Sequence, residues 1–256
     1  MPRLAIIKTG STYPAIHQRF GDFEQWFKAG LGTVSEDEAE ALPGSGIGEG
    51  EELEIQTIRV AEGEDPGHPD HWDGVIITGS PAMVSDKAPW SEATAQWLAM
   101  VVEAGIPVLG VCYGHQLLAH ALGGKVGYHP EGRESGTFSV QLNQNAASDP
   151  LLGTLPDCFP AQLTHLQSVL ELPPAATLLA SSEHEPHQAF RVGRQAWGVQ
   201  FHPEFSADVM RAYLEVQSPA LRTEGLEPAD LIGAVTDTPD AASLLQTFLT
   251  RVVLGR

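Results

Sequence analysis

Short apolar runs alternating with amphipathic stretches predict a three-layer α/β sandwich around a mostly parallel central sheet, with extra helices at the C-terminal end. Two of the runs, 74–78 and 107–111, are short, apolar and rich in β-branched residues, as strands covered on both faces are. Between them Trp97, Leu98, Val101 and Val102 recur near helical spacing. That is the pattern of a crossover helix joining two parallel strands.

Taken in order, Leu4-Ala5-Ile6-Ile7 reads as a buried strand over 4–8, followed by a helix over 14–29. Strands are expected at 53–60, 74–78 and 107–111, with the crossover helix at 91–104 and a further helix at 114–122. Strands at 137–142, 177–181, 188–192 and 196–201 complete the sheet. Helices at 207–216 and 241–253 close the chain. No internal repeat is present. The last forty residues, rich in Pro, Asp and Leu, are expected to form surface helices on the main body, dividing the chain into a domain at 1–205 and a helical extension at 206–256.

The stretch 35–70 differs. It holds Gly44, Gly46, Gly48 and Gly50 among many acidic residues, around one credible strand, and reads as long solvated loops. The glycine run has the look of a dinucleotide-binding loop, yet it follows no clear strand, opens no helix and is acidic where phosphate would sit. A turn is the better reading.

Of the 256 residues, 42% are hydrophobic and 18% charged, enough apolar material for a substantial core. The formal net charge of −19 repels phosphate backbones and anionic lipid, which argues against nucleic-acid and membrane partners. No apolar run reaches the ~18 to 20 residues that span a bilayer. The first residues lack the long apolar core of a signal peptide. A cytoplasmic protein with free thiols is expected, since its two cysteines are too few for a secreted disulfide scaffold.

Cys112 is the more informative of the two. The segment Pro107-Val-Leu-Gly-Val-Cys-Tyr-Gly-His-Gln-Leu-Leu ends a buried strand at Cys112 and starts a helix at once, with Gly110 and Gly114 flanking the thiol two residues away on each side. Such an elbow forces a strained turn, and small neighbours let the backbone pass close to adjacent elements. The helix start favours a thiolate, and the backbone N–H of Tyr113 can point at an oxyanion forming on an attacked carbon. An unpaired cysteine is otherwise most often a small buried hydrophobe, a reading the paired glycines disfavour. Cys158, between prolines and without such a setting, is read as structural.

A second segment, Gln195-Ala-Trp-Gly-Val-Gln-Phe-His-Pro-Glu-Phe-Ser206, supplies the partner groups. Pro203 holds His202 extended and ends the strand. Residues i and i+2 of extended chain share a side, so His202 and Glu204 project together. The carboxylate can then fix one imidazole nitrogen while the other faces a thiol, which is the logic of a nucleophile, base and orienting acid.

Together these segments resemble the class I glutamine amidotransferase family. Its Gly-x-Cys-x-Gly-x-Gln elbow stands here as Gly110-Val-Cys112-Tyr-Gly114-His-Gln116, and its Phe-His-Pro-Glu motif as Phe201-His202-Pro203-Glu204. The stretch Gly74-Val-Ile-Ile-Thr-Gly-Ser-Pro81 resembles the strand and Gly-Gly-Pro turn that supplies the second oxyanion amide. Ser80 replaces the second glycine, so the resemblance assigns that donor to Gly79 or Ser80. The likeness covers roughly residues 4–205. It implies a flavodoxin-like sandwich, a Cys112–His202–Glu204 triad, hydrolysis of glutamine or a γ-glutamyl compound through a thioester, and no metal or cofactor.

The resemblance further implies substrate contacts at Gln116, Leu166 and Gln167. Thr164-His165-Leu166-Gln167 lies where relatives carry a Ser-His-Gly or Asn-His-Gly turn, and the missing glycine alters the local backbone. Arg133-Glu134-Ser135-Gly136 resembles the family's Arg-Glu-x-Gly segment beside the site. Some fifty residues follow Glu204, and no synthase domain or nucleotide-binding loop is found among them. The partner is then either a separate synthase subunit that takes ammonia, or none, with hydrolysis itself the purpose. The surroundings of Asp22-Phe23 and of Asp86 and Trp90 resemble free-standing members near the GMP synthase glutaminase, some of which act as γ-glutamyl peptidases.

Four rivals remain in view, of which a non-enzymatic regulatory subunit is disfavoured because all three triad positions are filled. A cysteine variant of the α/β-hydrolase elbow would place its acid before its histidine. A DJ-1-like stress protein shares the sandwich and the reactive elbow but needs no Phe-His-Pro-Glu strand end. A metal site could draw on His68, His71, His129, His184 and His187, although these sit in loops without zinc-like spacing or cysteine partners.

Overall fold

The computed structural model describes residues 1–32 and 53–256. Among the described residues its central sheet has nine strands in two unlike halves. One half is parallel: β1 (Arg3–Lys8), β2 (Glu54–Arg59), β3 (Gly74–Ile77), β4 (Val108–Val111) and β11 (Ala196–Val199), side by side in the order β2-β1-β3-β4-β11. Beyond β11 the sheet continues antiparallel through β10 (Ala189–Val192), β9 (Ala176–Ser181), β6 (Glu134–Leu142) and β7 (Cys158–His165). A separate antiparallel pair joins β5 (Lys125–Tyr128) to β8 (Gln167–Glu171).

The period of two along each strand explains the layers. Leu4, Ile6, Ile76, Leu109 and Val111 face one core, with Phe27 and Leu31 from the N-terminal helices and Leu244, Leu245 and Phe248 from the C-terminal one. Ala5, Ile7, Val75, Ile77 and Val108 face the other, against helix α3 (Pro89–Glu103) and helix α4 (Tyr113–Ala121). Both faces of the parallel half are therefore covered, which is why its strands read as unbroken apolar runs.

Several elements depart from the sequence reading. The expected helix over 14–29 is two, α1 (Pro14–Phe20) and α2 (Phe23–Gly30). Gly21, at φ 80°, breaks the first, and Asp22 caps the second in a capping box with Gln25. Strands β5, β7 and β8 were not anticipated, and β6 starts three residues before the expected 137. Their signal is weak because β7 carries Pro160 and alternates imperfectly. It lies at the sheet's edge, where a proline costs no ladder bond. Past the active region, α5 (Ala207–Thr223) runs beyond 216 and through Pro219, and α6 (Pro228–Ala234) is a further short helix. The helix expected over 241–253 is α7 (Pro239–Thr247) continued by a π-helical stretch, Phe248–Val253. The strand expected within 35–70 is β2, whereas the glycine run at 44–50 lies outside the described residues.

The C-terminal helices are built into both sides of the body. Val209, Met210, Tyr213 and Leu214 of α5 pack with Ile16, Phe23 and Trp26, and α7 packs in the core behind β1. Among the described residues no helix is long and apolar enough to cross a membrane.

Candidate active site

Strands β3, β4 and β11 point their C-terminal ends at one place, where ligand sites of open α/β sheets form. Cys112 stands at the end of β4 as the residue before α4, with φ 51° and ψ −101°. Among the described residues only Lys87 shares with it a positive φ and a side chain. A bulky residue held there stores ~1–3 kcal/mol of backbone strain.

The flanking glycines explain how the turn closes. A Cβ on Gly110 would meet the Gly114 carbonyl oxygen at 2.4 Å, and one on Gly114 would meet the Ile77 carbonyl oxygen at 2.4 Å. The elbow is thus wedged against its own first turn and against β3. The thiol is nearly buried, with its sulfur 3.9 Å from the Thr164 carbonyl oxygen.

His202 follows β11. Its backbone N–H donates to the Gln162 carbonyl across 2.8 Å, tying the strand's exit to β7. Nδ1 lies 2.8 Å from Oε1 of Glu204, and Phe205 stacks on the ring at 4.1 Å. Nε2 is buried without a hydrogen-bond partner of ordinary geometry, in the cavity wall that also carries Cys112. Burial alone would lower the pKa of this histidine. The Glu204 carboxylate and then the Cys112 sulfur outweigh it and push the value up to about 10. The imidazolium form is therefore favoured at neutral pH.

The cavity these groups share measures about 150 Å³, below the ~300–1,000 Å³ of drug-sized ligand pockets. It suits a group of amino-acid size. Tyr113 and Ser80 line it, the former through the first residue of α4, whose N–H has no partner within the helix. The Tyr113 ring is anchored below, stacked on Trp90 and with its hydroxyl 2.6 Å from Ser91 Oγ; burial pushes its pKa up to about 12. Gly79 sits just behind, where a Cβ would stand 3.1 Å from His202 Cε1. Ser80 Oγ donates to the Thr9 carbonyl, which fixes the turn after β3.

Gln116, Leu166 and Gln167 line the same cavity. The Gln116 amide donates to the Gln167 carbonyl at 2.7 Å and to Gln200 Oε1 at 2.9 Å, which leaves its own oxygen to accept from a ligand. Gln167 bonds Ser85 with its side chain. Leu166 occupies the one-residue break between β7 and β8, and its carbonyl accepts from the His129 N–H. His165 bridges Glu134 Oε2 at 2.9 Å and the Gln167 carbonyl at 3.0 Å, bracing that break.

Several cavity residues carried no signal in the sequence. Gln217 and Tyr213 come from α5, within the stretch read as a surface extension. Gln217 is woven to Ser135 and Thr164 at 2.9 and 3.0 Å, and the Tyr213 hydroxyl lies 2.6 Å from Thr12 Oγ1. Thr12 is set in turn by Asp22, which accepts its N–H and pairs with Lys8 at 2.7 Å. Burial raises the Asp22 carboxyl, but Lys8 and backbone donors more than reverse this and lower it. Nothing in the local pattern of α5 betrays this role, because only packing turns that helix toward the elbow.

The other singled-out residues fall elsewhere. His68 and His71 are exposed, His129 and His184 stack at 4.1 Å, and His187 bonds the Val169 carbonyl. Among the described residues no three His, Cys, Asp or Glu are grouped to hold a metal ion. Cys158, read as structural, is exposed at the start of β7.

A family model described as glutamine amidotransferase class-I matches residues 50–217. A gamma-glutamyl peptidase 3 of Arabidopsis thaliana is 33% identical over 169 residues, spanning 63% of this chain and 66% of that one. A GMP synthase [glutamine-hydrolyzing] of Aeropyrum pernix is 39% identical over 131 residues, spanning 51% of this chain but 24% of its own length. The chain thus spans about a quarter of the GMP synthases it matches. The fold is shared with a glutamine amidotransferase of Thermotoga maritima (TM-score 0.72, 23% identity, 98% of each chain). It is shared also with one from Methylobacillus flagellatus (TM-score 0.75, 20% identity, 100% of this chain and 95% of that one).

Proposed function

The chain belongs to the class I glutamine amidotransferase family, and on that premise we propose that it hydrolyses the γ-amide of glutamine or of a γ-glutamyl compound with Cys112, His202 and Glu204 as its triad. The observation that carries the reading is the strained Cys112 elbow sharing a cavity with His202, whose other nitrogen is held 2.8 Å from Glu204. Residues 1–205 form the amidotransferase domain in this reading, and 206–256 an extension that completes the cavity wall.

The Cys112 thiolate attacks the γ-carbonyl carbon, and the carbonyl oxygen becomes an anion. The backbone N–H groups of Tyr113 and of Gly79 or Ser80 receive that charge, each donor worth ~3 kcal/mol in the transition state. His202, already protonated, delivers its proton to the departing nitrogen as the C–N bond breaks. The thioester remains. His202, now neutral, takes a proton from water, the hydroxide attacks the acyl carbon, and glutamate leaves with the thiolate restored. Glu204 keeps the ring oriented throughout. The free oxygen of Gln116 and the backbone at Leu166–Gln167 hold the amino-acid end.

Of the leaving groups, an amine larger than ammonia is favoured because the peptidase from Arabidopsis thaliana aligns over 66% of its length, whereas the synthases align over a quarter of theirs. Glutamine, glutathione and γ-glutamyl dipeptides assayed side by side for glutamate release test the reading. Turnover of γ-glutamyl peptides well above glutamine is expected. Activity that appears only on adding a synthase would select the alternative of a glutaminase subunit. Full activity in Cys112→Ser would refute the triad.

A further inference from the structure

At the opposite end of β11 from His202, a depression of about 420 Å³ gathers Arg191, Arg194 and Arg251, with Gln195, Trp197 and Pro150 beside them. None of its lining residues is acidic, in a chain whose net charge is −19. Arg194 and Arg251 make no ion pair with any described residue, although acids outnumber bases 33 to 14. Three like charges converging where carboxylates are abundant is unfavourable unless an anion joins them.

The third arginine is fixed in place. Arg191 gives one terminal nitrogen to Asp149 at 3.0 Å, while its Nε is buried with no partner. Asp149 is itself buried and fully engaged. It accepts from the backbone of Leu151 and Leu152 at 2.9 Å each and from Trp197 Nε1 at 3.1 Å. One guanidinium is thus oriented by a buried carboxylate, and two exposed ones stand at the rim.

We infer that this depression is a binding site for a dianionic phosphate group, free or as a terminal monoester, held by Arg191, Arg194 and Arg251. Planar guanidinium forks match phosphate oxygens two at a time, and a dianion answers the charge that one buried carboxylate leaves unbalanced. The site lies a strand's length, roughly 13 Å, from the nucleophile. Its ligand would therefore act on the fold, by way of β10 and β11, and not on the bound substrate. The inference stands independently of the proposed hydrolysis.

Calorimetric titration of the full chain with inorganic phosphate, and separately with glucose 6-phosphate, tests it at constant ionic strength. Glucose and potassium chloride serve as controls. Binding by at least one phosphate compound is expected, weakened at least tenfold in the double variant Arg194→Ala/Arg251→Ala, and the tighter of the two identifies the source. Both side chains are exposed, so the variant should fold, which unchanged circular dichroism and unchanged hydrolysis would confirm. No heat beyond the controls from either compound, or equal binding in the double variant, overturns the site.

Discussion

Nδ1 of His202 lies 2.8 Å from Oε1 of Glu204, both side chains buried, while Nε2 of the same ring is left without an ordinary partner beside Cys112. Glu204→Gln keeps the shape but offers an amide where the ring expects an anion. Hydrolysis should fall by about 10²–10⁴-fold, less than in Cys112→Ser, since orientation fails but the nucleophile remains. Steady-state glutamate release from both variants checks the ranking. An equal loss in the two would mean Glu204 does more than orient.

The raised pKa of His202 also has a consequence for stability. A group that binds its proton more tightly when folded stabilises fully below its unfolded value near 6.5, and that contribution is lost as pH climbs through about 10. Urea midpoints should therefore decline from about pH 8.5, where an unfolded thiol ceases to offset the proton His202 holds, up to pH 10, at no more than about 1.4 kcal/mol per pH unit from this group. In His202→Gln the decline should flatten. A wild-type curve level over that window contradicts the assignment.

The elbow predicts its own intolerance. In Gly114→Ala the new methyl meets the backbone oxygen of Ile77, which cannot swing aside as a side chain could. A loss of about 1–3 kcal/mol is expected, with activity falling further as Cys112 shifts. Thermal denaturation and turnover measured on the same sample separate the two effects. Gly225→Ala provides the contrast: no atom lies within 4 Å of its Cβ, so only its φ of 81° resists.

Lys8 is held between Asp22 and Glu24 at 2.7 Å each, under the turn that places Thr12. Lys8→Met leaves two carboxylates near one another without their cation. A destabilisation of roughly 3–5 kcal/mol is expected. Adding Asp22→Asn should recover part of it, as chemical denaturation of the single and double variants would show.

Gln217 joins Ser135 and Thr164 at the cavity wall. Gln217→Leu should cost about 1–3 kcal/mol by removing its bonds to those hydroxyls, which keep only their bond to each other at 2.9 Å, and should raise KM more than it lowers kcat, since the residue lines the cavity without reaching His202 or Glu204. A change confined to kcat would place it in the chemistry instead.

The chain's own sequence determined the parallel half of the sheet, the elbow and the strand end at His202. Each is a local signal: β-branched runs buried on both faces, glycines two residues from a cysteine, a proline holding two side chains on one side of extended chain. Even there the reading was incomplete at the helix over 14–29, where one glycine with a positive φ divides it.

What tertiary structure alone decided is the antiparallel pairing of β10, β9, β6 and β7 and the far wall of the cavity. Strand β7 owes its existence to its register with β6, which no alternation in its own residues announces. Gln217 and Tyr213 reach the site because α5 packs on Phe23 and Trp26, and the three arginines meet because β10, the turn after it and the chain's end fold to one place. Periodicity records which face of a segment is buried. It is silent on which other segment buries it, because that choice is made by shape and charge between residues far apart along the chain.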